Sequence, residues 1–150
     1  MAEFRLSSPA FADGGDIPRQ HTCDGGGIPP HLVWSDVPEG TRSFVLIAED
    51  PDAPHGIFTH WLVFDIPGDC TDLPSGTRAD AVGLSGRNDS GELGYVGPCP
   101  PSGTHRYVFR LSAVDVETLG LIAGATRERV EKAISGHTLG TAGLTGRYGR

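Results

Sequence analysis

Positive charge is scarce in this chain: 12 Lys and Arg stand against 19 Asp and Glu, for a net charge of −7. A surface of that sign repels nucleic-acid backbones and anionic lipid, so neither is an expected partner. No apolar run approaches the roughly 20 residues of a membrane-crossing helix, so stable membrane insertion is not expected. The start, Met1-Ala2-Glu3-Phe4-Arg5, has no basic segment leading into an apolar one. A secretory signal is therefore not expected and a cytoplasmic location is. Cysteine is sparse as well. Cys23, Cys70 and Cys99 are odd in number and lack Cys-x-x-Cys spacing, which fits reduced thiols, although sequence leaves a pairing of two of them open. The chain contains no HExxH zinc pair, no GxSxG nucleophile elbow and no repeat of fixed period.

Apolar residues make up 37%, a modest share, yet they gather into dense runs. The 22 glycines and 12 prolines fall at the ends of those runs, the pattern of short strands joined by turns. One domain spanning residues 1–150 is expected. A short edge strand is predicted at 4–8, another strand at 32–34, and a strand covered on both faces at 43–49, where Phe44-Val45-Leu46-Ile47-Ala48 is continuously apolar. That run stops at Asp50-Pro51-Asp52-Ala53-Pro54, whose prolines forbid further ladder pairing. Further strands are predicted at 60–66 and 105–114, and a helix at 126–135 with Thr126 as N-cap, Glu128 in its first turn and Gly136 closing it. Residues 12–30 and 68–94 read as polar loops, and loops of such length are commonly functional or disordered. The fold class is mainly β: an antiparallel β-sandwich with one or two peripheral helices.

The stretch from Gly97 to Leu111 carries the first chemical hint. A turn stiffened by Pro98, Pro100 and Pro101 runs into an alternating strand that puts His105, Tyr107, Phe109 and Leu111 on one face. Arg106 and Arg110 occupy the other, so the His105 face is the buried one. Prolines lack an N–H, leaving Gly97, Cys99, Ser102 and Gly103 as the nearby amide donors. Asp50 and Asp52 end the 43–49 strand, His60 opens the next, and His105 with Tyr107 opens the third. If the first is antiparallel to the other two, all these ends share one rim of a sheet.

Asp50-Pro51-Asp52-Ala53-Pro54, Thr59-His60-Trp61-Leu62-Val63, Gly97-Pro98-Cys99-Pro100-Pro101 and Gly103-Thr104-His105-Arg106-Tyr107 resemble the signature blocks of the phosphatidylethanolamine-binding protein family. Thr22-Cys23-Asp24-Gly25, Pro29-Pro30, Gly86-Arg87-Asn88-Asp89, Gly136-His137 and Gly146-Arg147-Tyr148-Gly149-Arg150 resemble its short bacterial branch, often called Raf-kinase-inhibitor-like. The resemblance implies a β-sandwich with a pocket for phosphate or phosphorylated head groups, placing there Asp50, His60, Pro98, His105 and Tyr107, with Asp52 beside them. Two positions depart from the pattern: Ser90 replaces an aromatic residue and Val96 a glycine. The chain also ends at Arg150, without the C-terminal helix that caps the pocket in mammalian relatives, and their kinase inhibition does not carry over to it.

The function expected from these residues is binding of a small phosphate- or carboxylate-bearing ligand, with a regulatory rather than an enzymatic role and no metal or other cofactor. Candidate ligand-binding residues are Asp50, Asp52, His60, Gly97, Pro98, Cys99, His105 and Tyr107. An anion beside Asp50 requires protonated histidines or a shared proton, so tighter binding is expected as pH falls. Rival readings are a metal hydrolase using Asp50, Asp52, His60 and His105, a nucleophilic hydrolase using Cys99 or Ser102, and an interaction module with a vestigial pocket. A homodimer is compatible with the composition, and no protein partner is identified. His21, His31 and His55 read as loop residues, His137 as a helix cap, and Trp34 and Trp61 as core.

Overall fold

The apolar run at 43–49 forms the middle of a five-stranded sheet in the computed structural model, which describes residues 3–150. Met1 and Ala2, the start of the expected leaderless N-terminus, lie outside the described residues. Strand β3 (Ser43–Asp50) is buried at all eight positions, as a strand covered on both faces should be. It pairs antiparallel with β4 (Phe58–Pro67) on one side and β7 (Thr104–Val114) on the other. The short β6 (Leu84–Ser85) edges β4, and β8 (Thr138–Gly149) edges β7, giving the order β6-β4-β3-β7-β8. A second sheet consists of β1 (Arg5–Ser7), β2 (Leu32–Ser35) and β5 (Asp72–Leu73), also antiparallel.

Apolar side chains of the two sheets meet in a shared core. Leu6, Leu32, Trp34 and Leu73 from the small sheet pack with Phe44, Leu46, Trp61, Phe109 and Leu111 from the large one. The other face of the large sheet presents Val45, Ile47, Leu62 and Phe64 to Ala125 and to Val130 of helix α2 (Arg127–Ile134). Thr126 is its N-cap, the side-chain oxygen accepting from Arg129 N–H at 3.3 Å. The antiparallel sandwich with peripheral helices is therefore observed; the second helix is the short α1 (Ala79–Val82). No helix among the described residues is long and apolar enough to cross a membrane.

Three expectations need correction. The twelve-residue β8 was not predicted, because Gly140, Gly143, Gly146 and Gly149 break the two-residue alternation that reveals a strand. Two of those glycines have packing reasons: a Cβ on Gly146 would lie 2.5 Å from Ile17 Cγ1, and one on Gly149 would collide with Thr104 Oγ1. The 68–94 region is not simply loop, since it contributes β5, α1 and β6, all too short to show periodicity. The cysteines are not all reduced thiols: Cys23 and Cys99 form a disulfide across 76 residues of sequence, leaving Cys70 free.

Candidate functional site

Antiparallel pairing of β3 with both neighbours brings its C-terminal end against the starts of β4 and β7. Asp50 pairs with Phe58, and Glu49 with Val108, so the acid, both imidazoles and the phenol converge on one rim. The register slips there: Ala48 faces Trp61 but Glu49 faces Thr59, leaving His60 as the extra residue of a β-bulge. A bulge re-aims a side chain, and here it lets both His60 and the adjacent core residue Trp61 be buried.

The cavity at this rim is about 170 Å³ and is lined by Asp50, Ala53, Pro54, Phe58, His60, Val96, Gly97, Cys99, Pro100, Pro101, His105 and Tyr107. That is smaller than the roughly 300–1,000 Å³ typical of pockets for larger organic ligands. A bigger cavity, about 410 Å³, opens beside the edge-on Trp61–Tyr95 pair. It contains no histidine, and Arg78 and Asp80 on its rim neutralise each other at 2.8 Å. Size alone thus does not locate the chemistry.

Each imidazole in the smaller cavity is anchored through Nδ1. His60 Nδ1 donates to Val96 O at 2.7 Å, and His105 Nδ1 is 2.6 Å from Asp50 Oδ2. A carbonyl can only accept, so Nδ1 of His60 carries the hydrogen, and an ionised Asp50 fixes the same tautomer on His105. In both rings Nε2 is left without a protein partner among the described residues and is not sealed from solvent. Burial pushes the His60 imidazole below its ordinary value, outweighing the Val96 carbonyl and the nearby Asp50 charge. Without a ligand, burial therefore favours the neutral form of His60.

Tyr107 is 2% exposed and its hydroxyl has no hydrogen-bond partner, the one fully buried side-chain polar atom among the described residues so placed. Burial, then the charge of Asp50, push the phenol well above its usual range, so it stays an O–H donor. The N–H groups of Gly97 and Cys99 likewise donate to no protein acceptor among the described residues. No lysine or arginine lines the cavity.

Of the sequence-nominated residues, Asp50, His60, Gly97, Cys99, His105 and Tyr107 come together and two do not. Asp52 stands outside, gripped by Arg106 through its guanidinium at 2.8 and 3.0 Å and its backbone N–H at 2.8 Å. That hydrogen bonding holds the Asp52 carboxyl down to about 2. Pro98 is buried behind the wall, its carbonyl accepting from Cys23 N–H at 3.1 Å, because the chain turns there towards the disulfide. Walls beyond the nominated residues come from Ala53, Pro54, Phe58, Pro100 and Pro101, and from Val96, which the resemblance singled out as a departure. The prolines lay within the quoted motifs; Phe58 gave no signal, because the bulge hides its alternation.

Other residues find structural work. His21 is buried against Ile28 O at 2.9 Å, His31 pairs with Asp72, and His137 pairs with Asp115 rather than capping helix carbonyls through its ring. Trp34 and Trp61 are core, at 4% and 1% exposure. Ser90 and Asn88 tie their own loop together, while Asp89 accepts from Thr59 N–H of β4. Ser102 does not line the cavity. Among the described residues no group of three or more His, Cys, Asp or Glu is disposed to hold a metal ion.

Comparison with known proteins adds a family. The profile of the phosphatidylethanolamine-binding protein family matches residues 7–149. A "UPF0098 protein" of Methanothermobacter thermautotrophicus is 50% identical, with 98% of this chain and 99% of that protein aligned. One from Aquifex aeolicus is 49% identical, with 99% and 90% aligned. Among solved structures, a Chlamydia trachomatis protein described as a phosphatidylethanolamine-binding protein homologue superposes with a TM-score of 0.94 at 39% identity, covering 100% of this chain and 99% of that one. Escherichia coli YbcL, described as a member of the mammalian family, gives 0.92 at 33% identity, with 99% of each chain covered.

Proposed function

Because the chain belongs to the phosphatidylethanolamine-binding protein family, we propose that it binds a small phosphate-bearing anion in the Asp50–His60–His105–Tyr107 cavity and performs no reaction on it. The Tyr107 hydroxyl carries this reading. A buried donor without a partner costs about 1–3 kcal/mol, and an anionic oxygen placed against it removes that cost. The free N–H groups of Gly97 and Cys99 supply further donors, in the manner of anion nests.

Proton bookkeeping selects the ionisation state. With His60 neutral, its Nε2 is an acceptor, and the cavity has no fixed positive charge to offset Asp50. A singly charged phosphate, which still carries hydroxyl hydrogens, can donate to such a nitrogen and accept from Tyr107. A doubly charged anion needs the same proton on the imidazole instead. Wherever the free anion is doubly charged, either route takes up a proton on binding, so its affinity rises as pH falls. The carboxylate-bearing class is the weaker candidate, since one flat carboxylate offers fewer oxygens to these spread-out donors. Binding without turnover suits a regulatory role in which occupancy is the signal.

The metal-hydrolase reading loses Asp52 to Arg106, and the thiol-nucleophile reading loses Cys99 to its disulfide. Titration calorimetry with inorganic phosphate, phosphoethanolamine and sulfate across about pH 5 to 8 tests the proposal, sulfate keeping its charge constant throughout. Affinity should rise towards acid for phosphate and sulfate alike. Absence of binding, or affinity that is flat or rises towards base, overturns it.

A further inference from the structure

We propose that the Cys23–Cys99 disulfide is a thiol-exchange site at which a small thiol attacks Cys99 and becomes attached at the mouth of the anion cavity. Both cysteines are exposed, and Cys99 is part of the cavity wall. Their two segments are also joined without the disulfide. Cys23 N–H donates to Pro98 O at 3.1 Å, the Tyr95 hydroxyl to His21 O at 2.7 Å, and Gly97 packs so close to Thr22 that a Cβ would lie 2.9 Å from its carbonyl carbon. The bond can therefore open while the fold stays closed.

The two sulfurs are not equivalent. Arg150 Nη2 lies 3.4 Å from Cys23 Sγ, and the guanidinium is fixed there by Asp24, 2.5 Å away. Asp24 is itself held by the Tyr148 hydroxyl. A cationic N–H donor stabilises a thiolate, and the sulfur that forms the more stable thiolate leaves faster. Among the described residues Cys99 Sγ has no such donor, and the cavity it borders contains the Asp50 carboxylate. Cys23 is the leaving group, so Cys99 is the sulfur attacked.

In the first step the incoming thiolate forms a bond to Cys99 Sγ as the Cys23–Cys99 bond breaks, and the electron pair leaves on Cys23 against Arg150. A second thiol then attacks the attached thiol's sulfur and releases Cys99 as a thiolate. Overall two small thiols are oxidised to their disulfide and the protein disulfide gains two electrons and two protons. The intermediate places its substituent on the wall of a cavity of only about 170 Å³, so modification at Cys99 and anion binding exclude each other. That last coupling rests on the anion-binding reading above.

The oxidised protein is exposed to reduced glutathione, quenched with N-ethylmaleimide and mapped by peptide mass spectrometry. Glutathione on Cys99 with maleimide on Cys23, in roughly tenfold excess over the reverse, is expected; equal labelling or a preference for Cys23 overturns the assignment. Arg150→Gln keeps the disulfide and should move the ratio towards one, and an unchanged ratio overturns the role given to Arg150. In a second arm Cys23→Ser is loaded with glutathione at Cys99 and titrated with phosphate, beside the same variant as a free thiol. A loss of about tenfold or more is expected, since the substituent fills the site, and equal affinity overturns the coupling. If neither the oxidised protein nor the free-thiol variant binds phosphate, the anion-binding reading fails, while the mapping still decides which sulfur is attacked.

Discussion

Tyr107 is where stability and binding part company. Its hydroxyl is buried and unpaired, so removing it takes away a desolvated donor and leaves the ring packing intact. Tyr107→Phe should therefore unfold at an unchanged or higher temperature while losing about tenfold in phosphate affinity, as deletion of a hydrogen bond to a charged group implies. Scanning calorimetry and titration calorimetry on one preparation check both halves; a clear drop in melting temperature with unaltered affinity sinks the assignment. At this scale the sequence was informative about residue types. Alternation along 105–111 placed His105 and Tyr107 on the buried face, and both are buried. It could not show that Asp52 is claimed by Arg106, because both are polar residues at a strand end and only distance distinguishes a pocket acid from a rim ion pair.

At the scale of elements, the cavity depends on two devices that periodicity does not reveal. One is the bulge that makes His60 the extra residue of β4. The other is the close stacking of the 97–101 turn on the 19–26 segment, where Gly97 leaves no room for a side chain beside Thr22. Gly97→Ala should push the two segments apart, weakening phosphate binding by about tenfold and costing about 1–3 kcal/mol of stability, as overpacking does. Urea unfolding paired with a phosphate titration measures both, and an alanine accepted without loss of either would contradict the packing described. Long elements were legible because each has one period: β3 by its continuous apolar run, α2 by its Thr126 cap. Strand β8 was not, because its Gly146 and Gly149 admit Ile17 and Thr104, contacts made by remote parts of the chain.

At the scale of the whole molecule, three carboxyl or imidazole groups among the described residues are held below their ordinary values, and all three push stability in one direction. Burial lowers His60 from about 6.5, while Arg150 and Tyr148 hold Asp24, and Arg106 holds Asp52, near 2. In each case the unfolded chain binds the proton more readily, so stability falls with acid: first below about pH 6.5 for His60, then below about pH 4 for the two aspartates. Urea midpoints across this range should decline in that order, and His60→Gln should flatten the first limb. An identical limb in that variant would remove His60 as its source. Anion binding has the opposite dependence, because it consumes the proton that the empty fold resists, so phosphate should protect the protein most at the acid end.

By itself the sequence determined the fold class, the central strands and the chemical identities of the groups at one rim, because hydrophobic period and strand-end residue type are local properties. Only the tertiary structure decided which of those groups share a cavity, that the Tyr107 hydroxyl lacks a partner, and that Cys23 meets Cys99 beside Arg150. Those facts join segments as far apart as 127 positions, and no local rule of spacing or polarity encodes a contact of that range.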